Sequence, residues 1–357
     1  MKIIHCADLH LNSVLSSLPS EKAKTRREEI LSNFERLCDY ANNNDVKVVI
    51  IAGDMFDTLK VTNKVMNRIL FAISNCSNTD FLYLSGNHDT DVFLSLENLP
   101  KNLKTFSTEW TYYNYENIVI SGVSFNSVNT LTVYDNLNLS KDNVNVVVMH
   151  GHIAGYKNTE PAEIISLPRL QGKNIDYLAL GHVHFYAEGK LDERGIYAYS
   201  GCLDARGFDE TGDKGFILLN VEDGKLSKNF VSFGTRSFNE FTYDVTGKTS
   251  PFYVLEEIFN TVTSNVKPSS AVKVVLKGEA IPELDLDLES LNNKLNSYFF
   301  YAKIQDKTTL KVDISDYEHD KSLKGEFVRT VLSSNLDQTQ KSQVLMCGLR
   351  ALKGEEF

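Results

Sequence analysis

Short runs of apolar residues recur along the first half of the chain, and polar residues follow each run. The runs are residues 3–7, 48–52, 81–85, 144–149 and 177–180. Short apolar runs rich in β-branched residues are typical of buried strands. Apolar positions at three- and four-residue spacings predict helices over residues 20–44 and 62–75. The alternation of strand and helix predicts a sheet with helices packed on it.

The pattern then changes to shorter strands. The short apolar or alternating segments are residues 110–115, 118–125, 196–200, 215–221 and 230–233. We expect these strands to form a second sheet that faces the first. The segment 201–215 is rich in glycine and charge, which predicts a loop. Together the patterns predict a four-layer α/β/β/α sandwich with helices outside two central sheets.

We place a domain boundary near Gly234-Thr235-Arg236, where the pattern of strands followed by polar motifs stops. The first predicted domain covers residues 1–235, and a smaller α+β domain covers residues 236–357. The elements predicted in the smaller domain include a strand over 272–276 and helices over about 251–264, 286–298 and 337–353. Both parts are long enough to bury a core of their own.

Composition and charge exclude several classes of protein. The chain has 42% hydrophobic and 24% charged residues, so nothing sets it apart from ordinary globular proteins. No apolar stretch approaches the roughly 20 residues that cross a bilayer, and we expect neither a signal peptide nor a membrane partner. Five widely spaced cysteines favour reduced thiols in the cytoplasm over disulfides or a zinc ribbon. The net charge of −10 argues against binding nucleic acid through charge alone.

Residue types that bind metals stand directly after the five apolar runs. The motifs are Asp8-Leu9-His10, Gly53-Asp54, Gly86-Asn87-His88-Asp89, His150-Gly151-His152 and Gly181-His182-Val183-His184. Ligands of open α/β sheets bind at the carboxyl ends of the strands, so we expect these side chains to meet at that edge. Asp, His and Asn together suit manganese, iron or zinc better than calcium.

The same side chains indicate a site for two ions. Two divalent ions about 4 Å apart assist displacement at phosphorus. Their repulsion is about 17 kcal/mol at an effective dielectric constant near 20, so a bridging carboxylate is nearly obligatory, and Asp54 is our candidate. Asp8 and Asp54 are the firm anionic ligands, whereas the neutral ones are His10, Asn87, His150, His182 and His184. The remaining positive charge predicts a site that binds phosphate and activates water as a hydroxide nucleophile.

Four further residues are candidates for proton donation, orientation of the proton donor or contact with substrate. His88 is left over from the ligand set, and an imidazolium can donate a proton to a leaving oxygen. Asp57 is its natural orienting partner. His152 is a candidate for contact with substrate, but a hydrogen bond to a loop is an equally good interpretation. Arg206 is a candidate for contact with phosphate.

Other polar residues favour structural interpretations. His5 lies inside a predicted strand, which favours a packed core position, and Asp89 is expected to pin its loop. The cluster of Lys22, Arg26 and their neighbours favours a solvated helix face over contact with the DNA backbone.

The five motifs resemble those of the calcineurin-like metallophosphoesterase superfamily. Asp-x-His, Gly-Asp-x-x-Asp, Gly-Asn-His-Asp, His-Gly-His and Gly-His-x-His occur in family order over residues 8–184. The resemblance implies two ligand sets, which are Asp8, His10, Asp54 and His184 for one ion and Asp54, Asn87, His150 and His182 for the other. It also implies that His88 is the catalytic histidine and pairs with Asp57.

Less specific motifs point to one group within this superfamily. Asp8-Leu9-His10-Leu11 and residues 53–58 look like the SbcD-type DNA-repair nucleases, and loop 201–215 is similar to the YhaO branch of that group. This resemblance implies a manganese-dependent exo- or endonuclease on DNA, a C-terminal capping domain, a homodimer and an SMC-like (SbcC-type) ATPase partner. The alternatives are a phosphodiesterase or phosphatase acting on a small nucleotide or a phosphoprotein, and a regulatory subunit of such an ATPase.

Overall fold

The structure is a computed structural model that divides into two compact units, Met1–Ser237 and Phe238–Phe357. It describes residues 1–58, 60–89, 92–93, 98–124, 129, 132–154, 164–281, 283–311 and 317–352. All of the strand-end motifs belong to the first unit and lie among the described residues.

Six strands form the first sheet of this unit. They are β1 (Lys2–Cys6), β2 (Val46–Ala52), β3 (Asp80–Leu84), β4 (Leu103–Thr105), β13 (Gly215–Glu222) and β14 (Lys225–Ser232). Their spatial order is β14-β13-β1-β2-β3-β4, and β1 to β4 run parallel to one another. Helices α1 (Ser20–Asn43) and α2 (Asn63–Asn75) pack against each other, and α1 packs on β2. Their buried residues include Phe34, Leu37 and Ile69, which lie at the apolar positions of the predicted helices.

Six further strands form the second sheet. They are β5 (Thr111–Tyr115), β6 (Ile118–Gly122), β7 (Val144–His150), β10 (Tyr177–Gly181), β11 (Ala187–Lys190) and β12 (Ile196–Tyr199). Their order is β11-β12-β10-β7-β6-β5, with four parallel central strands and antiparallel strands at both edges. A short pair, β8 (His152–Ile153) and β9 (Ile164–Ile165), and the one-turn helix α3 (Leu167–Leu170) connect β7 to β10.

The main core lies between the two sheets. Ile50 and Leu82 of the first sheet pack in one apolar cluster with Val146 and Ala179 of the second, and all four are fully buried. On the outer face of the second sheet, the described residues include Leu170 of α3 and several side chains of residues 133–139. The α/β/β/α sandwich is therefore confirmed, and its fourth layer, where the structure describes it, consists of α3 and irregular chain.

The prediction that residues 215–221 and 230–233 belong to the second sheet is wrong. They form β13 and part of β14, and β13 pairs antiparallel with β1, with Leu218 opposite Ile4. An alternating pattern identifies a strand with one buried face, but it contains no information about which strand lies beside it. The pairing partner is decided by long-range packing.

The prediction of a solvated helix face is wrong for Arg26, which is fully buried on α1. Its guanidinium forms an ion pair with Asp204 and donates hydrogen bonds to the carbonyl oxygen of Ala205 and to Oγ1 of Thr235. A buried charge is tolerated when it is paired and hydrogen-bonded. This network ties α1 to the loop 201–215 and to the chain after β14.

The second unit has a three-stranded parallel sheet in the order β15-β16-β18. The strands are β15 (Phe238–Asp244), β16 (Ala271–Lys277) and β18 (Tyr301–Asp306), with α4 (Pro251–Asn265) and α5 (Leu288–Tyr298) sharing their core. The strands β17 (Glu279–Ala280) and β19 (Thr309–Leu310) form a separate pair, and α6 (Leu323–Ser333) packs on α7 (Gln338–Leu352).

Two expectations from composition concern the whole chain. All five cysteines are free thiols, and four of them are buried. Among the residues that the structure describes, none of the helices has both the length and the apolar character that crossing a bilayer requires.

Candidate metal centre

The strand-end motifs bring their side chains together at the carboxyl edge of both sheets. The ligand atoms of Asp8, His10 and His184, here called the first cluster, all lie within 4.8 Å of one another. Those of Asp54, His150 and His182, the second cluster, do the same. The strands β1 and β2 are parallel neighbours in one sheet, and β7 and β10 are parallel neighbours in the other, so the packing of the two sheets places their ends together.

The first cluster places imidazole nitrogens and a buried carboxylate around one point. Nε2 of His10 lies 3.2 Å from Nε2 of His184. The Asp8 carboxylate is fully buried and accepts the backbone N–H of His182 at 2.9 and 3.0 Å. Burial raises the pKa of Asp8, and the nearby imidazoles of His184 and His150 only partly oppose it. A cation at this point would compensate the burial of that carboxylate.

In the second cluster the hydrogen bonds fix which nitrogen of His150 faces the site. Nδ1 of His150 donates to the carbonyl oxygen of Ala52 at 2.9 Å, since a carbonyl can only accept. Nε2 then faces Oδ2 of Asp54 at 3.3 Å and Oδ1 of Asn87 at 3.0 Å. The same amide oxygen lies 3.2 Å from Nδ1 of His182. Asn87 thus joins the second cluster.

The charges around His150 favour its protonated form, which cannot bind a metal. Burial opposes its charged form, but the charge of Asp54 and the contact with that carboxylate raise the pKa of His150 to about 9. Burial, followed by the charge of His150, lowers the pKa of His182 to about 4. Since a metal binds the neutral imidazole, protons compete with metal mainly at His150.

Asp54 lies between the two clusters. Its Oδ2 is 3.3 Å from Nε2 of His150 and 3.9 Å from Nε2 of His10, and its Oδ1 accepts the backbone N–H of His88 at 3.0 Å. The carboxylate is almost fully buried. Two carboxylates, four imidazoles and one amide oxygen suit a pair of borderline divalent ions, and the position of Asp54 suits a shared ligand.

Four of these residues have backbone angles in the left-handed region, which is uncommon for residues other than glycine. The φ angles are 51° for Asp8, 42° for His10, 51° for Asp54 and 98° for His182. Such angles cost about 1–3 kcal/mol each and cluster at functional sites. Two cross-strand hydrogen bonds hold the loops in place, from Asp8 N to the Gly53 oxygen and from His10 N to the Asp54 oxygen, both at 3.0 Å.

Gly86 and Asp89 explain why the third motif fits against Asp54. A methyl group on Gly86 would overlap the Asp54 carboxylate, so this position requires glycine. The buried Asp89 carboxylate accepts the backbone N–H groups of Gly86 at 2.9 Å and of Met55 and Phe56 at 2.7 and 3.1 Å. Asp89 therefore joins the loops after β2 and β3.

His88 and Asp57 lie beside the first cluster, and the ligand atoms of His10, Asp57 and His88 lie within 4.8 Å of one another. Nδ1 of His88 lies 3.3 Å from the backbone carbonyl oxygen of Asp57. The Asp57 carboxylate lies 3.1 Å from Nδ1 of His10 and accepts a hydrogen bond from Arg206 at 3.0 Å. The contact with His10 outweighs burial and, together with the charges of His10 and Arg206, lowers the pKa of Asp57. Sequence spacing fixes the proximity of His88 to Asp57 but not which group makes the contact.

The two predicted substrate residues occupy different surroundings. Arg206 donates to Asp57 and to Glu210. His152 stacks on His182 with ring centroids 5.8 Å apart, and its buried Nδ1 has no hydrogen-bond partner in the part of the chain that the structure describes. Contact of either residue with substrate stays a prediction.

Sequence reasoning missed Glu210, whose carboxylate lies 2.9 Å from Nδ1 of His184 and is buried. The sequence does contain a signal, because Arg206 and Glu210 stand four residues apart inside the loop 201–215. A buried arginine–glutamate pair beside a metal motif is typical of residues that hydrogen-bond to the metal ligands and orient them.

The comparisons with known proteins agree with this geometry. The family model of the calcineurin-like phosphoesterases matches residues 1–186. The chain is similar to the metallophosphoesterase YhaO of Bacillus subtilis, at 27% identity over 78% of this chain and 72% of YhaO. It is also similar to the DNA double-strand break repair protein Mre11 of Sulfolobus acidocaldarius, at 24% identity over 81% of this chain and 75% of that protein.

A solved dimetal phosphatase from Danio rerio aligns at 9% identity and a TM-score of 0.45, over 64% of this chain and 95% of that one. The family model covers more than half of this chain and every strand-end motif, so the superfamily resemblance is confirmed. Members of this family use a dinuclear metal centre, and both ligand clusters lie in the matched region. The chain belongs to the calcineurin-like phosphoesterase family and is a metal-dependent phosphoesterase.

Proposed function

We propose that this protein is a two-metal nuclease that hydrolyses phosphodiester bonds at DNA ends, with manganese as its metal. The observation that carries the proposal is the position of Asp54 between two ligand clusters, at 3.3 Å from His150 and 3.9 Å from His10. The similarity to a DNA double-strand break repair protein over most of both chains supports DNA as the substrate.

In this proposal each cluster holds one ion and Asp54 is shared. The residues that would hold the ions are Asp8, His10, Asp54 and His184 for one, and Asp54, Asn87, His150 and His182 for the other. When bound, two such ions supply Lewis acidity to phosphate oxygens and lower the pKa of a coordinated water. Because Asp8 and Asp54 offset only about half of the charge of two divalent ions, this edge would attract a phosphodiester although the whole chain carries a net charge of −10.

His88 would assist the leaving group. The Asp57 carbonyl can only accept, so it orients His88 with a proton on Nδ1. In the imidazolium form Nε2 also carries a proton, and that proton passes to the 3′ oxygen as its bond to phosphorus breaks. The backbone N–H of His88 meanwhile donates to Asp54, which keeps the imidazole beside the clusters.

Several parts of the proposal rest on the resemblance alone. These are a capping role for the second unit, a homodimer and an SMC-like ATPase partner. The proposed cytoplasmic location rests on the five widely spaced cysteines. We also expect DNA binding to require the metals, since the net charge of the chain opposes contact with phosphates.

The test uses a labelled linear DNA duplex and bis(p-nitrophenyl) phosphate, each with manganese or with a chelator. We expect metal-dependent shortening of the duplex by the wild type and strong loss of it in Asn87→Ala. The exposed Asn138→Ala serves as the matched control and should cut like the wild type. Hydrolysis of the small ester with no action on duplex or single-stranded ends would overturn the nuclease and favour a phosphodiesterase of small substrates.

A further inference from the structure

Glu210 reaches the side of His184 that faces away from His10. Its Oε1 lies 2.9 Å from Nδ1 of His184, whereas Nε2 of His184 lies 3.2 Å from Nε2 of His10. A guanidinium nitrogen of Arg206 lies 3.1 Å from the same Nδ1, but guanidinium groups only donate. The carboxylate is the nearer partner and can only accept, so Nδ1 carries the hydrogen. Nε2 then presents its lone pair within the first cluster.

Arg206 holds Glu210 and a second carboxylate at the same time. Its Nε and one terminal nitrogen donate to Oε1 of Glu210 at 2.9 and 2.7 Å, and its other terminal nitrogen donates to Oδ1 of Asp57 at 3.0 Å. Asp57 in turn lies 3.1 Å from Nδ1 of His10. One guanidinium therefore fixes the two carboxylates that lie behind the two imidazoles of the first cluster.

The loop 201–215 holds the backbone of His184 as well. The buried Lys214 donates from Nζ to the carbonyl oxygen of His184 at 2.8 Å. The backbone N–H of Arg206 donates to Oε2 of Glu210 at 2.7 Å, which closes the loop on itself. Side chain and main chain of His184 are thus both fixed by this loop, which lies outside the region of the family match.

We propose that Arg206 and Glu210 are positioning residues for the first cluster, acting through His184 and Asp57. Glu210 selects the tautomer of His184, and Arg206 orients both carboxylates through its planar fork. This role rests on the proposed two-metal site, and it differs from the contact with phosphate that the sequence suggests for Arg206. Carboxylates that contact the imidazole ligands from behind orient those ligands. Their loss typically weakens metal binding about 10- to 100-fold.

The first test measures manganese binding to Glu210→Gln by titration calorimetry. We expect one of two ions to bind about 10- to 100-fold more weakly, while the other keeps its affinity. Glu193→Gln is the matched control, because Glu193 is exposed and its ion pair is with the exposed Lys190. Wild-type affinity for both ions in a folded Glu210→Gln variant would overturn the proposal.

A second variant, Arg206→Lys, keeps the charge but removes the planar fork. We expect weaker binding of one ion and a lower kcat, with little change in the KM for DNA at saturating manganese. Unchanged metal affinity with a raised KM would overturn the positioning role and favour contact with phosphate. Thermal unfolding shows whether both variants are folded. If Glu210→Gln does not fold, the result for Arg206→Lys tests the positioning role alone.

The nuclease activity and the positioning role can be refuted independently of each other. A wild-type protein that binds two ions but leaves DNA intact overturns the nuclease, and the positioning role is still supported by weakened metal binding in Glu210→Gln. Conversely, normal metal binding by both variants overturns the positioning role even if the wild type cuts DNA.

Discussion

The carboxylate of Asp57 lies 3.1 Å from Nδ1 of His10, while its backbone carbonyl oxygen lies 3.3 Å from Nδ1 of His88. One residue therefore serves two histidines through two different groups. Substitution of the side chain removes the partner of His10 and leaves the peptide carbonyl that faces His88. The two histidines have different proposed roles, so variants can separate them.

Asp57→Ala is expected to act on metal binding. Without the carboxylate, His10 loses the group that orients its imidazole, and the affinity of the first cluster for manganese should fall about 10- to 100-fold. Titration calorimetry measures this change. Unaltered metal affinity combined with a loss of kcat equal to that of His88→Ala would contradict the assignment and favour a carboxylate pair with His88.

His88→Ala is expected to act on the leaving group and not on the metals. The kcat for DNA should fall about 100- to 10,000-fold, because the 3′ oxygen departs without a proton donor. The loss on bis(p-nitrophenyl) phosphate should be much smaller, since nitrophenolate needs no proton to leave. Both substrates are assayed at saturating manganese, with the exposed His319→Ala as the control. Equal losses on both substrates would rule out this role.

Gly86→Ala is expected to disrupt the second cluster. The added methyl group would overlap the Asp54 carboxylate, so Asp54 must move and manganese binding should be lost or strongly weakened. Gly172→Ala is a control for glycine substitution, because open space surrounds that position and only the cost of its positive φ remains. Elemental analysis after gel filtration gives ions per chain. Two retained ions in Gly86→Ala would show that the close approach does not matter.

His5 should make the stability of the protein depend on pH. It is fully buried, with Nδ1 2.9 Å from the Tyr177 hydroxyl and Nε2 3.2 Å from the Leu180 carbonyl oxygen. Burial lowers the pKa of His5 from 6.5 to about 3, although the hydrogen bond with Leu180 opposes the shift. The unfolded chain takes up this proton near pH 6.5, so stability falls as the pH drops below that value. Between pH 7 and pH 5 the loss should be about 2 kcal/mol.

Urea unfolding of the chelator-treated protein at pH 5, 6 and 7 measures this dependence. His5→Gln should show a fall in the free energy of unfolding that is smaller than that of the wild type by about 2 kcal/mol. His319→Gln, which changes an exposed histidine, should follow the wild type. Parallel curves for the wild type and His5→Gln would contradict the assignment.

The location of the candidate site could be predicted from sequence, because parallel strands share a carboxyl edge. Asp8, Asp54 and His150 follow runs that could only be buried strands, so their convergence needs no knowledge of the loops. The contacts behind them could not be predicted. Glu210 approaches His184 because a loop distant in sequence folds over it, and no local pattern specifies that approach.

The fold shows the same division between local and long-range information. The strand patterns of β13 and β14 were visible, but their place beside β1 depends on packing between distant parts of the chain. Arg26 stands four residues before Ile30, on the buried face of α1, but its charge predicts a solvated position. Its burial depends on Asp204, which is far away in sequence. Charged residues are almost never fully buried without a partner, and sequence did not reveal that partner.

The two-metal centre is tested most directly by anomalous diffraction from crystals soaked in manganese. We expect two peaks per chain, one among Asp8, His10 and His184 and one among Asn87, His150 and His182, with Asp54 between them. Fewer than two peaks at this edge, or imidazoles turned away from the ions, would contradict the two-metal centre.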